Sequence, residues 1–211
     1  KRKLVVKFFN AARFIFGLGA ATPPAASVSI DADWCNKLNA AVKASEKYFT
    51  ENDYTGALIA TEQAFWDFCD NYLEIAKGRA YAGDASALLT LQLSLETFCG
   101  LFAPFMPFIT EEVWRAKYDF SIHTQKFPSF WPDFSQPAGD FANYDKLCEL
   151  VSLVRGKKTG ANKSIKAPIK KLTIADNEFL RNSEADIKNV LNAEEIVFSG
   201  MELLGELEWG E

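Results

Sequence analysis

Along the first hundred residues, apolar side chains recur at the three- and four-residue spacing of helices that bury one face. Leu4, Phe8, Ala12, Ile15 and Phe16 make one stripe, predicting a helix over about Lys3–Leu18 that Gly17 and Gly19 bring to a stop. Residues 20–29, with Pro23-Pro24, read as a loop or linker. Asp31 or Asp33 can then cap a second helix, whose stripe is Trp34, Leu38, Ala41, Val42, Ser45, Tyr48 and Phe49. Asn52-Asp53 breaks and re-caps the chain for a third, running through Leu58, Phe65, Phe68, Cys69, Tyr72 and Ile75 to Lys77-Gly78. Asp84 caps a fourth that carries Leu88, Leu91, Leu95, Phe98 and Phe102.

That fourth helix runs into Leu101–Trp114, which holds Pro104 and Pro107. Proline lacks an N–H and constrains the residue before it, so neither can sit inside a regular helix. The pattern predicts a helix that stops, turns on Pro104 and restarts with Pro107 in the first turn of a fifth. Phe102, Phe105, Met106 and Phe108 are expected to wrap this corner, and Glu111 and Glu112 to lie in an early turn, where the helix dipole favours negative charge.

From Arg115 to Asp145 the period disappears. Phe120, Phe127, Phe130, Trp131 and Phe134 are mixed with Pro128, Pro132, Pro137 and Gly139, as in an irregular segment pinned by its aromatic rings. A sixth helix fits Tyr144–Arg155, with Leu147, Leu150, Val151 and Val154 inward. A basic loop follows over Gly156–Ala167, then a strand over Ile169–Ile174 and a helix over Glu178–Leu191. Further strands fit Glu195–Phe198 and Leu203–Trp209. The fold class is therefore mainly α: an antiparallel helical bundle over residues 1–142, followed by a small α/β extension over 143–211.

Charge adds to this picture because it is uneven. The net charge is −5, yet residues 1–30 hold Lys1, Arg2, Lys3, Lys7 and Arg13 and no acid. Residues 150–175 hold Arg155, Lys157, Lys158, Lys163, Lys166, Lys170 and Lys171, again without an acid. Two basic stretches on an acidic body suit a polyanion held on one side. Cys35, Cys69, Cys99 and Cys148 lie far apart in apolar helical contexts, which fits buried free thiols in a reducing cytoplasm and neither a zinc pair nor a redox motif. No apolar run approaches the roughly 20 residues of a membrane span, and no signal peptide is evident at the start.

Catalytic chemistry is hard to find. Gly156-Lys157-Lys158-Thr159-Gly160 imitates the end of a phosphate-binding loop, but Val151 stands where its first glycine belongs and Lys158 where it needs Ser or Thr. His123 is the only histidine, so neither a metal site nor a nucleophile–base pair suggests itself. Glu62, Asp67, Asp70 and Glu74 read as a solvated acidic face. The chain is expected not to be an enzyme by itself.

Three ordered motifs carry a resemblance. Asn10-Ala11-Ala12-Arg13-Phe14 is the first. Phe65-Trp66-Asp67-Phe68-Cys69-Asp70-Asn71-Tyr72-Leu73-Glu74, followed by Ala76-Lys77, is the second. Ala103-Pro104-Phe105-Met106-Pro107-Phe108-Ile109-Thr110-Glu111-Glu112-Val113-Trp114 is the third, and Ser121-Ile122-His123 with Phe127-Pro128 continues it. Together they resemble the anticodon-binding domain of class I aminoacyl-tRNA synthetases, most nearly that of the valyl enzymes; isoleucyl and leucyl enzymes share the bundle with weaker matches. The resemblance covers residues 1–135 well and the tail loosely.

The resemblance implies tRNA, most nearly valine tRNA, as the partner. The anticodon stem-loop would be held so that its acceptor end reaches a catalytic domain. That domain's ATP-handling motifs, His-x-Gly-His and Lys-Met-Ser-Lys-Ser, cannot be placed on His123, Met106 or Met201, the chain's only histidine and methionines, so ATP, the catalytic domain and the editing domain would belong to the rest of the enzyme. The chain looks like an excised C-terminal piece of a monomeric cytoplasmic protein, without the coiled-coil arm of many bacterial valyl enzymes. By the family pattern Arg13 presents its guanidinium to an anticodon base or phosphate, Trp34 stacks on a base, and Leu95 and Glu96 border the anticodon. Lys77, Arg79, Lys157, Lys158 and Lys163 are phosphate candidates. Two other readings remain open from sequence: a helical protein-interaction module, whose binding would ignore the basic residues, and an RNA-modifying or deacylating enzyme of this fold.

Overall fold

The computed structural model describes residues 2–19, 28–127 and 141–210. The expected linker falls outside these at 20–27, as does the part of the aromatic segment that holds Pro128, Phe130, Trp131, Pro132, Phe134, Pro137 and Gly139.

Five apolar stripes build the bundle. Helix α1 (Arg2–Gly17) buries Leu4, Phe8, Ala11, Ala12 and Ile15, and Gly19 ends it at φ +92°. Helix α2 (Ser29–Thr50) follows. Neither Asp31 nor Asp33 caps α2, which starts from Val28; Asp31 lies inside the first turn and is wholly buried. Asn52, in the left-handed region at φ 58°, turns the chain into α3 (Tyr54–Asp67). There Asp53 accepts a hydrogen bond from the Gly56 N–H at 2.8 Å, as the cap pattern predicts. A π turn over Phe68–Tyr72 joins α3 to α4 (Leu73–Tyr81), so the helix runs past the expected stop at Gly78 and ends at Gly83, φ +81°. Asp84 caps α5 (Ala85–Phe102) through the Ala87 N–H at 2.8 Å. Phe8, Phe65, Phe98 and Phe102 meet in the middle, with Phe65–Phe98 centroids 5.3 Å apart. Among the described residues one helix, α5, is long and apolar enough to cross a membrane, but it is the mostly buried core helix of this bundle.

The proline corner is built largely as the pattern predicts. The N–H groups of Phe105 and Met106 both donate to the Phe102 carbonyl, at 2.9 and 2.8 Å, and Pro107 opens α6 (Pro107–Arg115) at its first position. Phe102 is buried and Phe105 is half-buried against Phe49, 5.7 Å between centroids. Phe108 does not wrap the corner: it is 90% exposed, because the second position of α6 faces away from the bundle. Glu111 and Glu112 lie beyond the first turn of α6, which holds no acid. Glu111 instead accepts from Arg115, from the Ser121 hydroxyl at 2.8 Å and from the Ile122 N–H at 3.0 Å, tying down a 3-10 turn at Ile122–Thr124. These bonds, Arg115's first, hold its carboxyl below the usual range.

The tail is a βαβ unit with one added strand. Helix α7 (Ala142–Gly160) packs on α2 and leads to β1 (Ile169–Ile174), α8 (Glu178–Asn182), α9 (Glu184–Leu191), β2 (Ala193–Phe198) and β3 (Leu204–Trp209). Strand order is β2-β1-β3, with β1 parallel to β2 across the helical crossover and antiparallel to β3. Ile169, Leu172 and Ile174 turn into the core, and α9 packs on α4. The buried side chains form one cluster that runs across residues 142 and 143. Two expectations need correction. Helix α7 continues through Gly156 to Gly160, where a loop was expected, and the tail helix is split at Ser183.

Candidate nucleic-acid interface

The exposed face formed by α1 and α4 gathers cations around aromatic rings. Arg13 is exposed on α1 and has no ion pair among the described residues. Its neighbour Phe14 meets the Tyr81 ring edge-on, 5.7 Å between centroids and 87° between planes. Lys77 lies over the Phe14 ring at 5.4 Å, with its ammonium 3.7 Å from Glu74. Of the expected site residues, Arg13 and Lys77 therefore stand at this face.

From Tyr81 an open cleft of about 460 Å³ runs between the bundle and the tail. Helix α4 supplies Glu74, Lys77, Gly78 and Tyr81; α7 supplies Arg155; the loop after α7 supplies Ile165 and Lys166; α9 and its end supply Asn189, Val190 and Asn192. Gly78 lets the two walls meet, since a side chain there would run into the Asn189 amide. Tyr81 is 67% exposed. Sequence reading missed Tyr81, Asn189 and Asn192 as site residues. The tail residues are brought to α4 by the βαβ crossover, which leaves no local signal.

The remaining expected contacts lie elsewhere. Trp34 is wholly buried, stacked on Tyr72 at 5.0 Å, and its indole N–H donates to the Ser94 hydroxyl at 2.8 Å. No face of it is open to a base. Leu95 is buried too, beside a slot of only about 10 Å³, and Glu96 accepts from Lys117 and from the Tyr118 hydroxyl at 2.9 Å.

Two of the phosphate candidates are structural. The Arg79 guanidinium contacts Asp31 at 2.7 Å, Asp84 at 3.0 Å and Asp186 at 2.9 Å, and Asp31 also accepts from the Tyr72 and Ser86 hydroxyls. Burial works against the Arg79 charge, but the Asp31 contact outweighs it and raises its pKa. Lys158 is fully buried and donates to the carbonyls of Ile165, Ala167 and Leu191 at 2.9, 2.7 and 2.7 Å, so all three ammonium protons are used. Lys157 and Lys163 are exposed near β3; Lys157 reaches the Gly205 carbonyl and Lys163 lies over the Trp209 ring.

No acid–base constellation accompanies this surface. Burial pushes the Cys35, Cys69 and Cys148 thiols up to about 12, away from the thiolate form a nucleophile needs. Among the described residues, no group of three His, Cys, Asp or Glu side chains could hold a metal ion.

The chain thus combines an antiparallel helical bundle, a small α/β tail and a basic, aromatic-edged face on α1 and α4. Residues 31–174 match the family described as the anticodon-binding domain of tRNA ligase, and the chain belongs to that family. It is 38% identical over 191 residues to the valine–tRNA ligase of Tropheryma whipplei (strain Twist), covering 82% of this chain and 22% of that protein. To the valine–tRNA ligase of Anaplasma marginale (strain St. Maries) it is 37% identical over 207 residues, 92% of this chain and 25% of the relative. To that of Cutibacterium acnes (strain DSM 16379 / KPA171202) it is 34% identical over 229 residues, 100% and 26% respectively. The chain thus spans about a quarter of the length of the curated relatives it matches.

Proposed function

We propose that this chain binds the anticodon stem-loop of valine tRNA and belongs to a valyl-tRNA synthetase, orienting the tRNA for a catalytic domain carried elsewhere. The match over residues 31–174 to the anticodon-binding family carries this reading, and the valine–tRNA ligase relatives support the choice of tRNA. ATP and the amino acid are handled by the rest of the enzyme, and this chain has no aminoacylation activity alone. Arg13 is the residue assigned to the anticodon, because it is exposed and has no ion pair among the described residues. Positioning contacts go to phosphates, and sequence is read on unstacked loop bases.

The test is a gel-shift series with valine tRNA, its anticodon mutants and an isoleucine tRNA at two salt concentrations. Arg13→Ala should reduce discrimination between valine tRNA and an anticodon mutant by about 1–3 kcal/mol, the range of a directed base contact. The same ratio is then measured by aminoacylation in the full-length enzyme. A folded Arg13→Ala protein with unchanged discrimination removes Arg13 from the site. A chain with no affinity for valine tRNA at low salt overturns the reading.

A further inference from the structure

The cleft between bundle and tail has the chemistry of a second contact. We propose that it seats an unpaired stretch of the tRNA, with one base on the Tyr81 ring and the adjoining phosphates on Arg155 and Lys166; this rests on the tRNA reading above. Asn189 and Asn192, which furnish amides on the tail wall, lie beyond the residues 31–174 that match the family, so the tail becomes part of the binding surface.

Size, shape and charge agree on the occupant. The volume of about 460 Å³ lies in the range of small-ligand sites, roughly 300–1,000 Å³. Tyr81 is 67% exposed, and its described ring contact is the edge-on one with Phe14, which leaves ring surface to solvent. A base inside a duplex has no free face to offer such a ring, whereas an unpaired base does. Three cations line the cleft against one carboxylate, that of Glu74, which Lys77 already attends. Arg155 and Lys166 have no ion pair among the described residues. Arg155 also carries a buried Nε without a hydrogen-bond partner, although its Nη1 reaches the Asp70 carbonyl at 3.3 Å. Such a site is under-neutralised as it stands, and a phosphate supplies what it lacks.

The experiment measures binding of an anticodon stem-loop RNA, and of a fully paired duplex of equal length, to the wild-type chain and three variants. Tyr81→Phe should bind the stem-loop as wild type does. Tyr81→Ala should weaken it on the order of tenfold, the scale of one base stack, with little effect on the duplex. Lys166→Ala should weaken binding and flatten the logarithmic salt dependence by about one unit. Tyr81 and Lys166 are exposed, so thermal melts of these variants should match wild type. Stem-loop binding that survives Tyr81→Ala unchanged, while Arg13→Ala still alters anticodon discrimination, rejects the cleft and leaves the tRNA reading standing. Displacement of the stem-loop by poly-glutamate as readily as by RNA would make the cleft a general anion surface and reject the proposal. A wild-type chain that does not bind the stem-loop rejects both readings.

Discussion

Two adjacent lysines on α7 have opposite fates, and the helix period explains why. Leu147, Val151, Val154 and Lys158 follow one another at spacings of four, three and four, so Lys158 occupies the next position of a buried stripe. Lys157 sits about a hundred degrees round the helix, in solvent. The core accepts the Lys158 ammonium because three carbonyls face it at 2.7–2.9 Å. Lys158→Met should therefore cost on the order of 3 kcal/mol by stranding those carbonyls. Lys157→Ala should stay within about 0.5 kcal/mol. Chemical denaturation of both variants checks this; equal stabilities would mean that the ammonium is not the anchor. Arg79 obeys the same rule, following the buried Tyr72 at the end of the π turn and Ile75 and Ala76 of its own helix. Trp34 likewise continues the stripe of α2. Only for Trp34 does the sequence show the stripe, and there the family pattern assigns the ring to a base; the helices of Lys158 and Arg79 are expected to end at Arg155 and Gly78, short of both residues.

At the scale of elements, caps and breaks were the most readable features. Asp53, Asp84 and Pro107 do locally what their side chains dictate, because a cap or a proline acts within three residues of itself. The end of α7 was misread since two glycines and two lysines imitate a loop. The helix persists to Gly160 because Lys158 pins the following turn to the tail through contacts distant in sequence. The π turn at Phe68–Tyr72 was equally hidden, since buried apolar residues run densely through it, from Phe65 to Ala76, and no glycine or proline marks the extra residue. Gly156 then becomes an informative position: it is helical, and a Cβ added there meets nothing within 4 Å. Gly156→Ala should raise stability by roughly 0.5–1 kcal/mol through helix propensity alone. A lower melting temperature would restore the loop originally expected over Gly156–Ala167.

At the scale of the whole molecule, the question is what fixes the tail against the bundle and so holds the cleft open. The ion cluster does this, because its members come from separate elements: Asp31 from α2, Arg79 from α4, Asp84 from the start of α5, and Asp186 from α9 in the tail. Asp31 is 0% exposed and Asp186 4%, so without Arg79 two carboxylates would lose their counter-charge where water scarcely reaches. Arg79→Ala should cost about 3–5 kcal/mol. Arg79→Lys should recover only part of that, since an ammonium lacks the planar fork that touches three carboxylates at once. The pH dependence gives a sharper reading. Burial already pushes the Asp186 carboxyl up, with Arg79 opposing that rise. Deleting the guanidinium moves the folded-state pKa further above the unfolded value of about 3.9. The folded variant then binds a proton more readily than the unfolded chain, and stability lost at neutral pH returns as pH falls toward about 4. The deficit relative to wild type should therefore be greatest near pH 7 and shrink on acidification, while hydrogen exchange at neutral pH quickens in α9 before α5. A deficit that does not change with pH would show that Arg79 serves by packing its stem, and that the charges it joins do not hold the tail in place.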